Sequence, residues 1–129
     1  MASIYILGHE LQGDFFDADF VDRYEAATRR MRDQATAGEG THYSSLGDAY
    51  RAQCKIANDY FDGVFGDGTA DELFGGSNNL KDHMQAVAEL VEAAQKSQKE
   101  TNDFVNKYTQ RQNAAVRHIE DRRQRGKKH

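Results

Sequence analysis

The chain has 129 residues, 38% of them hydrophobic and 29% charged, the composition of one soluble globular domain and not of a disordered chain. Its longest apolar run is a handful of residues against the roughly 20 needed to cross a bilayer, so no membrane partner is expected. The formal charge of −4 hides a division: residues 107–129 carry eight Lys/Arg against Glu120 and Asp121, a net of +6, whereas residues 1–106 carry nine against nineteen Asp/Glu, a net of −10.

Proline is absent, which favours long uninterrupted helices. The opening MASIYILGHE lacks the basic start and cleavage site of a signal peptide, and the single Cys54 permits no internal disulfide, so a reducing cytoplasm is expected. The β-formers Ile4 to Leu7, a turn at Gly8-His9 and a return over residues 10–15 predict a small N-terminal hairpin. Two strands alone are marginal in water, so the hairpin must pack on helices or pair with another chain.

DFFDADFVDRYEAATRRMRDQA predicts the first helix, capped by Asp17 or Asp19, with Phe20, Tyr24, Ala27 and Met31 on one face. A polar loop follows over residues 36–45. The second helix, about residues 45–65, carries the stripe Leu46, Tyr50, Cys54, Ala57, Phe61 and Val64, widened by Tyr60 and Phe65. The third opens at SNNLKDH and runs to about Arg123. Its seam alternates by four and three through Leu80, Met84, Val87, Val91 and Ala94, then Val105, Tyr108, Ala115 and Ile119, with Gln98, Thr101 and Gln112 at the same register. An unbroken helix of that length would span about 65–70 Å, so a bend or fray is expected near Thr109 to Asn113.

These elements predict a mainly α fold. The small hairpin packs on a bundle of three main helices, the last long and projecting. Residues 1–108 would form one helical domain and 109–129 a basic tail, flexible or helical.

Five glycines between Gly63 and Gly76 raise the question of a phosphate cradle. A P-loop needs Gly-x4-Gly-Lys-Ser/Thr after a strand; Gly63 and Gly68 have the spacing, but Thr69 stands at the lysine position and a helix precedes the loop. The dinucleotide fingerprint fails because Asp71 replaces the third glycine, and Asp62, Asp67, Asp71 and Glu72 would repel an anion. The structural reading accounts for each residue. Gly66 ends the second helix in the left-handed region, Thr69 and Glu72 form a capping box over a short turn with Leu73 and Phe74, and Gly75-Gly76 ends it. Phe61, Phe65 and Phe74 fill the corner, and Ser77, Asn78 or Asn79 caps the long helix.

No two of His9, His42, His83, His118 and His129 sit at metal-binding spacing, and Cys54 has no partner cysteine. Asp17-x-Asp19 begins like a calcium loop but places Asp22 and Thr28 where glycine and an acid are needed. Cys54 lies on an apolar stripe and reads as core. No cofactor, metal or catalytic residue is expected, and an enzyme ranks last among the function classes. The basic tail suits nucleic acid through phosphate contacts, but no aromatic interleaves its basic residues and the acidic body opposes it. An acidic protein partner fits the same tail, as does a solvated, frayed end.

Two stretches, DFFDADFVDRYE and YFDGVFGDGTADELFGGSNNL, together with the hairpin and the following helix, resemble the small tail assembly chaperones of long-tailed phages and prophages of Gram-positive hosts. The likeness covers roughly residues 3 to 95. It implies a non-enzymatic protein of the host bacterial cytoplasm that binds the tape measure protein, with the tail tube protein as a second partner. Such a protein keeps the tape measure soluble while tube subunits polymerise and is absent from the finished virion. Many members of the group are also made in a longer, frameshifted form.

For such a helical client, the diluted seam offers Val105, Tyr108, Arg111, Ala115, Ile119, Arg122 and Arg123 as the partner-binding face. The alternatives are that this face folds back on its own domain, or that it mediates self-association. A small nucleic-acid-binding or regulatory phage protein acting through the tail is the runner-up function, followed by a minor structural tail or connector protein.

Overall fold

The elements follow in the expected order: β1 (Ser3–Ile6), β2 (His9–Gln12), α1 (Ala18–Ala37), α2 (Leu46–Phe65), α3 (Thr69–Phe74) and α4 (Leu80–Gly126). The computed structural model describes residues 2–126, with side-chain surroundings as far as Arg117. It is mainly helical with one small antiparallel hairpin and a long last helix, as the sequence predicts. Contacts divide the chain into two units, Met1–Gln95 and Lys96–His129, and α4 supplies helix to both.

Alternation sets the hairpin. Ile4 pairs with Leu11 and Ile6 with His9, so Ile4, Ile6 and Leu11 bury together while Tyr5 and Glu10 face water. The turn falls one residue earlier than expected, at Leu7-Gly8, and His9 belongs to β2. Both turn residues have positive φ, 50° and 79°, as a two-residue turn matching strand twist requires. Leucine is strained there, and two contacts offset the strain. Its side chain packs against the core, and its N–H donates to Glu89 Oε2 of α4 at 2.7 Å.

Asp17 occupies the N-cap of α1, but its carboxylate makes no capping bond. Asp14 shapes the approach instead, accepting from the N–H of Phe16 through Oδ1 and from that of Asp17 through its carbonyl, both at 2.9 Å. Phe20 and Ala27 bury as expected, with Tyr24 and Met31 packed beside them. Ser45 caps α2, its Oγ accepting from Asp48 N–H at 3.0 Å. The α2 stripe is buried only from Cys54 onward, at Cys54, Ala57, Tyr60, Phe61 and Val64. Leu46 is 69% exposed and Tyr50 is exposed too, because among the described residues no element covers the first turns of this helix.

Along residues 80–95 the buried face of α4 is displaced from the predicted seam. His83, Ala86 and Leu90 have no exposed surface, whereas Met84 is exposed and Val87 only half-buried. A polar histidine hid this row. Its ring stacks on Phe74 at 3.8 Å between centroids, and both ring nitrogens are bonded inside the fold. The bend or fray expected near Thr109–Asn113 does not break the helix, and α4 continues helical through Gly126. With no proline and only Gly126 for a glycine, nothing in residues 80–125 interrupts its hydrogen-bond ladder.

One close approach carries a test. A Cβ on Gly13 would stand 2.6 Å from the ring of Phe20, itself buried, and 3.0 Å from Ile4 Cδ1. Gly13→Ala should therefore lower unfolding stability by about 1–3 kcal/mol in urea titration, since a packed ring has to move. Gly40→Ala, at an open loop position with positive φ, separates backbone strain from this crowding.

Candidate partner-binding surfaces

The corner after α2 is a hydrogen-bonded splice in which the acid Asp62 serves as a backbone cap. Gly66 ends α2 at φ 112° and ψ 157°, its N–H donating to the Asp62 carbonyl; the conformation is glycine-specific but extended, not the left-handed one expected. Gly68, at φ 94°, caps α3, and Thr69 is its first residue. The predicted Thr69–Glu72 box does not form. Thr69 is buried and its hydroxyl donates to the Gly66 carbonyl at 2.7 Å, while Glu72 is exposed. Asp62, one turn before the end of α2, takes over the capping and accepts from Ala70 N–H at 2.9 Å. A carboxylate at a helix N-terminus is favourable, so the acid that argued against phosphate is what joins the two helices. Gly75 closes α3 in the left-handed region at φ 56°, and Asn79 Oδ1 caps α4 by accepting from Asp82 N–H at 3.0 Å.

Phe61 is wholly buried in this corner, its ring centroid 6.3 Å from Phe65 and 5.9 Å from Phe74. His83 Nδ1 lies 2.7 Å from the Asn79 carbonyl, which can only accept, so Nδ1 donates. Nε2 lies 3.0 Å from the Asn58 side-chain amide of α2. Sequence reasoning weighed His83 only as a metal ligand and Asp62 only as a charge repelling an anion, and it did not single out Asn58. The only signal was that His83, Ala86 and Leu90 share α4 spacing.

Buried titratable groups here are structural. Burial pushes the Cys54 thiol up. It also drives the Tyr60 phenol well above its ordinary range, with the O–H donating to Thr28 Oγ1 at 3.0 Å while that hydroxyl donates to the Tyr24 carbonyl. Among the described residues, every buried side-chain nitrogen and oxygen has a partner, and no three His, Cys, Asp or Glu side chains are gathered as for a metal ion.

Two surfaces offer apolar burial. In the first unit a groove of about 390 Å³ opens between α1, α2 and the start of α4, lined by Met31, Ile56, Met84 and Val87 with Arg32 as its only charged side chain. In the second, Phe104, Val105, Tyr108 and Val116 each keep at least half of their surface exposed. At 3.6 residues per turn these four and Ala115 share one side of α4, an arc of about 120°, with Arg111 at its edge. Of the expected face, Val105, Tyr108, Arg111 and Ala115 thus lie in solvent on or beside one stripe. Phe104 and Val116 join it although a strict four-three count passes over them. Ile119, Arg122 and Arg123 lie beyond the described side chains.

The alternative caps can be told apart by mutation. Asp62→Ala should cost about 1 kcal/mol of stability and Glu72→Ala less than about 0.5 in chemical denaturation. A reversed order would restore the capping box. Both Cys54 and Tyr60 are held neutral by burial, so their contributions are complete below the unfolded pKa values and fade as pH rises past about 9 and then 10. Melting temperature should fall over that window, and native Cys54 should react with a disulfide reagent only at the rate of unfolding.

Residues 7–128 match the model of a family of unknown function, DUF6673. No curated protein and no solved structure matches the chain.

Proposed function

We propose that this chain, which belongs to the DUF6673 family, is a non-enzymatic tail assembly chaperone of a phage or prophage. It acts in the host bacterial cytoplasm and binds the tape measure protein until tail tube subunits enclose it. The observation that carries this reading is the exposed stripe of Phe104, Val105, Tyr108 and Val116 on a helix that continues through Gly126. A tape measure is a long helical chain whose apolar heptad faces need cover before assembly, and a helix with an apolar side can cover them reversibly. The stripe is interrupted by Gln112 and bordered by Arg111, which suits transient contact better than a permanent coiled coil. The resemblance of DFFDADFVDRYE and YFDGVFGDGTADELFGGSNNL to the tail assembly chaperone group supports the same reading.

Co-expression tests it. The tape measure protein produced with this chain should remain soluble and co-purify, and Phe104→Ser with Tyr108→Ser should abolish both effects without changing the melting temperature. Tape measure protein that is equally insoluble with and without the chain overturns the proposal. The presence of the chain in purified virions would replace it with a structural tail role.

A further inference from the structure

The two units differ in charge along the same boundary that divides their contacts. Residues 1–95 hold seven Lys/Arg and seventeen Asp/Glu, a net of −10, and residues 96–129 hold ten and four, a net of +6. Charge also collects at the stripe itself. Between Phe104 and Ile119 the helix has Lys107, Arg111 and Arg117 and not one carboxylate. Lys107 and Arg111 lie along one edge of the apolar residues, Arg117 falls on the far side of the helix, and all three cations are exposed.

We infer that the occupant of this stripe is an amphipathic helix of another protein whose apolar seam is flanked by Asp and Glu. Apolar area supplies the attraction and the cations select the partner. A flanking carboxylate opposite Lys107 or Arg111 is favoured, and a lysine there is repelled. The same arrangement selects against a second copy of this helix. Laid in register against itself in either direction, the segment from Phe104 to Ile119 sets cations beside cations and holds no acid of its own. The inference deepens the chaperone reading and rests on it for the source of the partner: the client segments would be acidic heptad stretches.

The test uses the full chain and designed helical peptides of several heptads with identical Leu/Ala seams and flanks of Glu, Gln or Lys, followed by fluorescence anisotropy at low and high salt. Several exposed ion pairs together should make the Glu-flanked peptide bind about tenfold tighter than the Lys-flanked one at low salt, a gap that narrows at high salt. Phe104→Ser with Tyr108→Ser should remove binding while circular dichroism and melting stay unchanged. Lys107→Glu, Arg111→Glu and Arg117→Glu together should reverse the order of the peptides.

Equal affinity for all three peptides overturns the inference. So does binding that survives the double serine variant, a homodimer that the double variant dissolves, or displacement of the Glu peptide by equimolar single-stranded nucleic acid. A soluble, co-purifying tape measure protein with no charge preference among peptides would sink this inference alone. The stated peptide preference with an insoluble tape measure protein would sink the chaperone reading and leave the acidic-helix site standing.

Discussion

A run of touching rings holds the first unit together. Phe15 meets Phe20 edge to face at 5.1 Å, Phe20 meets Phe65 at 5.8 Å, Phe65 stacks on Phe61 at 6.3 Å, Phe61 meets Phe74 at 5.9 Å, and Phe74 stacks on His83 at 3.8 Å. Six rings therefore link the approach to α1 with α2, α3 and α4 in one continuous contact. Phe15 and Phe61 also touch Tyr24 and Tyr60 respectively, so ring dimensions help fix the spacing of the helices beside the aliphatic packing. The glycines of the corner serve this arrangement. They let the backbone turn tightly enough after Phe65 to bring Phe74 back over Phe61.

The polar groups at that core are few and fully employed. Asp62, Asn58, Asn79 and Thr28 each bond a group from another turn or another helix. Such bonds stabilise modestly, but an unpaired partner in the interior would cost about 1–3 kcal/mol, so they specify the packing more than they strengthen it. The second unit follows a different rule. Phe104, Val105, Tyr108 and Val116 stay largely in water, where burial would add up to about 1.5–3 kcal/mol each, and Lys107 and Arg111 beside them help keep that face solvated.

The hairpin, the helix order and a cap for α4 among Ser77, Asn78 and Asn79 were legible because local chemistry decides them, whereas the cap at Ser45 was not singled out. Periodicity failed where tertiary contacts decide. Leu46 and Tyr50 continue a valid stripe, but among the described residues no element packs on the first turns of α2. Met84 and Val87 fit the heptad better than His83 and Ala86, yet small Ala86 and flat His83 allow α4 to approach where Met84 would not. The Thr69–Glu72 pair has the spacing of a capping box, and it yields to Asp62, which reaches Ala70 from the preceding helix. On α4 beyond residue 96, Val105, Tyr108 and Ala115 were readable from the seam. Phe104 and Val116 were not, because a four-three count admits one row where an unpartnered helix displays a broader side.

The bond from Leu7 to Glu89 joins residues 82 positions apart. A ribosome delivers the N-terminus first, so the strained turn is made long before the carboxylate that secures it. Until α4 emerges, Ile4, Ile6 and Leu11 have no complete surface to bury against, and a lone pair of strands does not hold in water. The hairpin strands therefore settle only after α4, although they precede it in the chain. Between the synthesis of β2 and that of α4 the nascent chain carries an adhesive, half-formed strand edge, and that interval is when it is most open to mispairing with its neighbours.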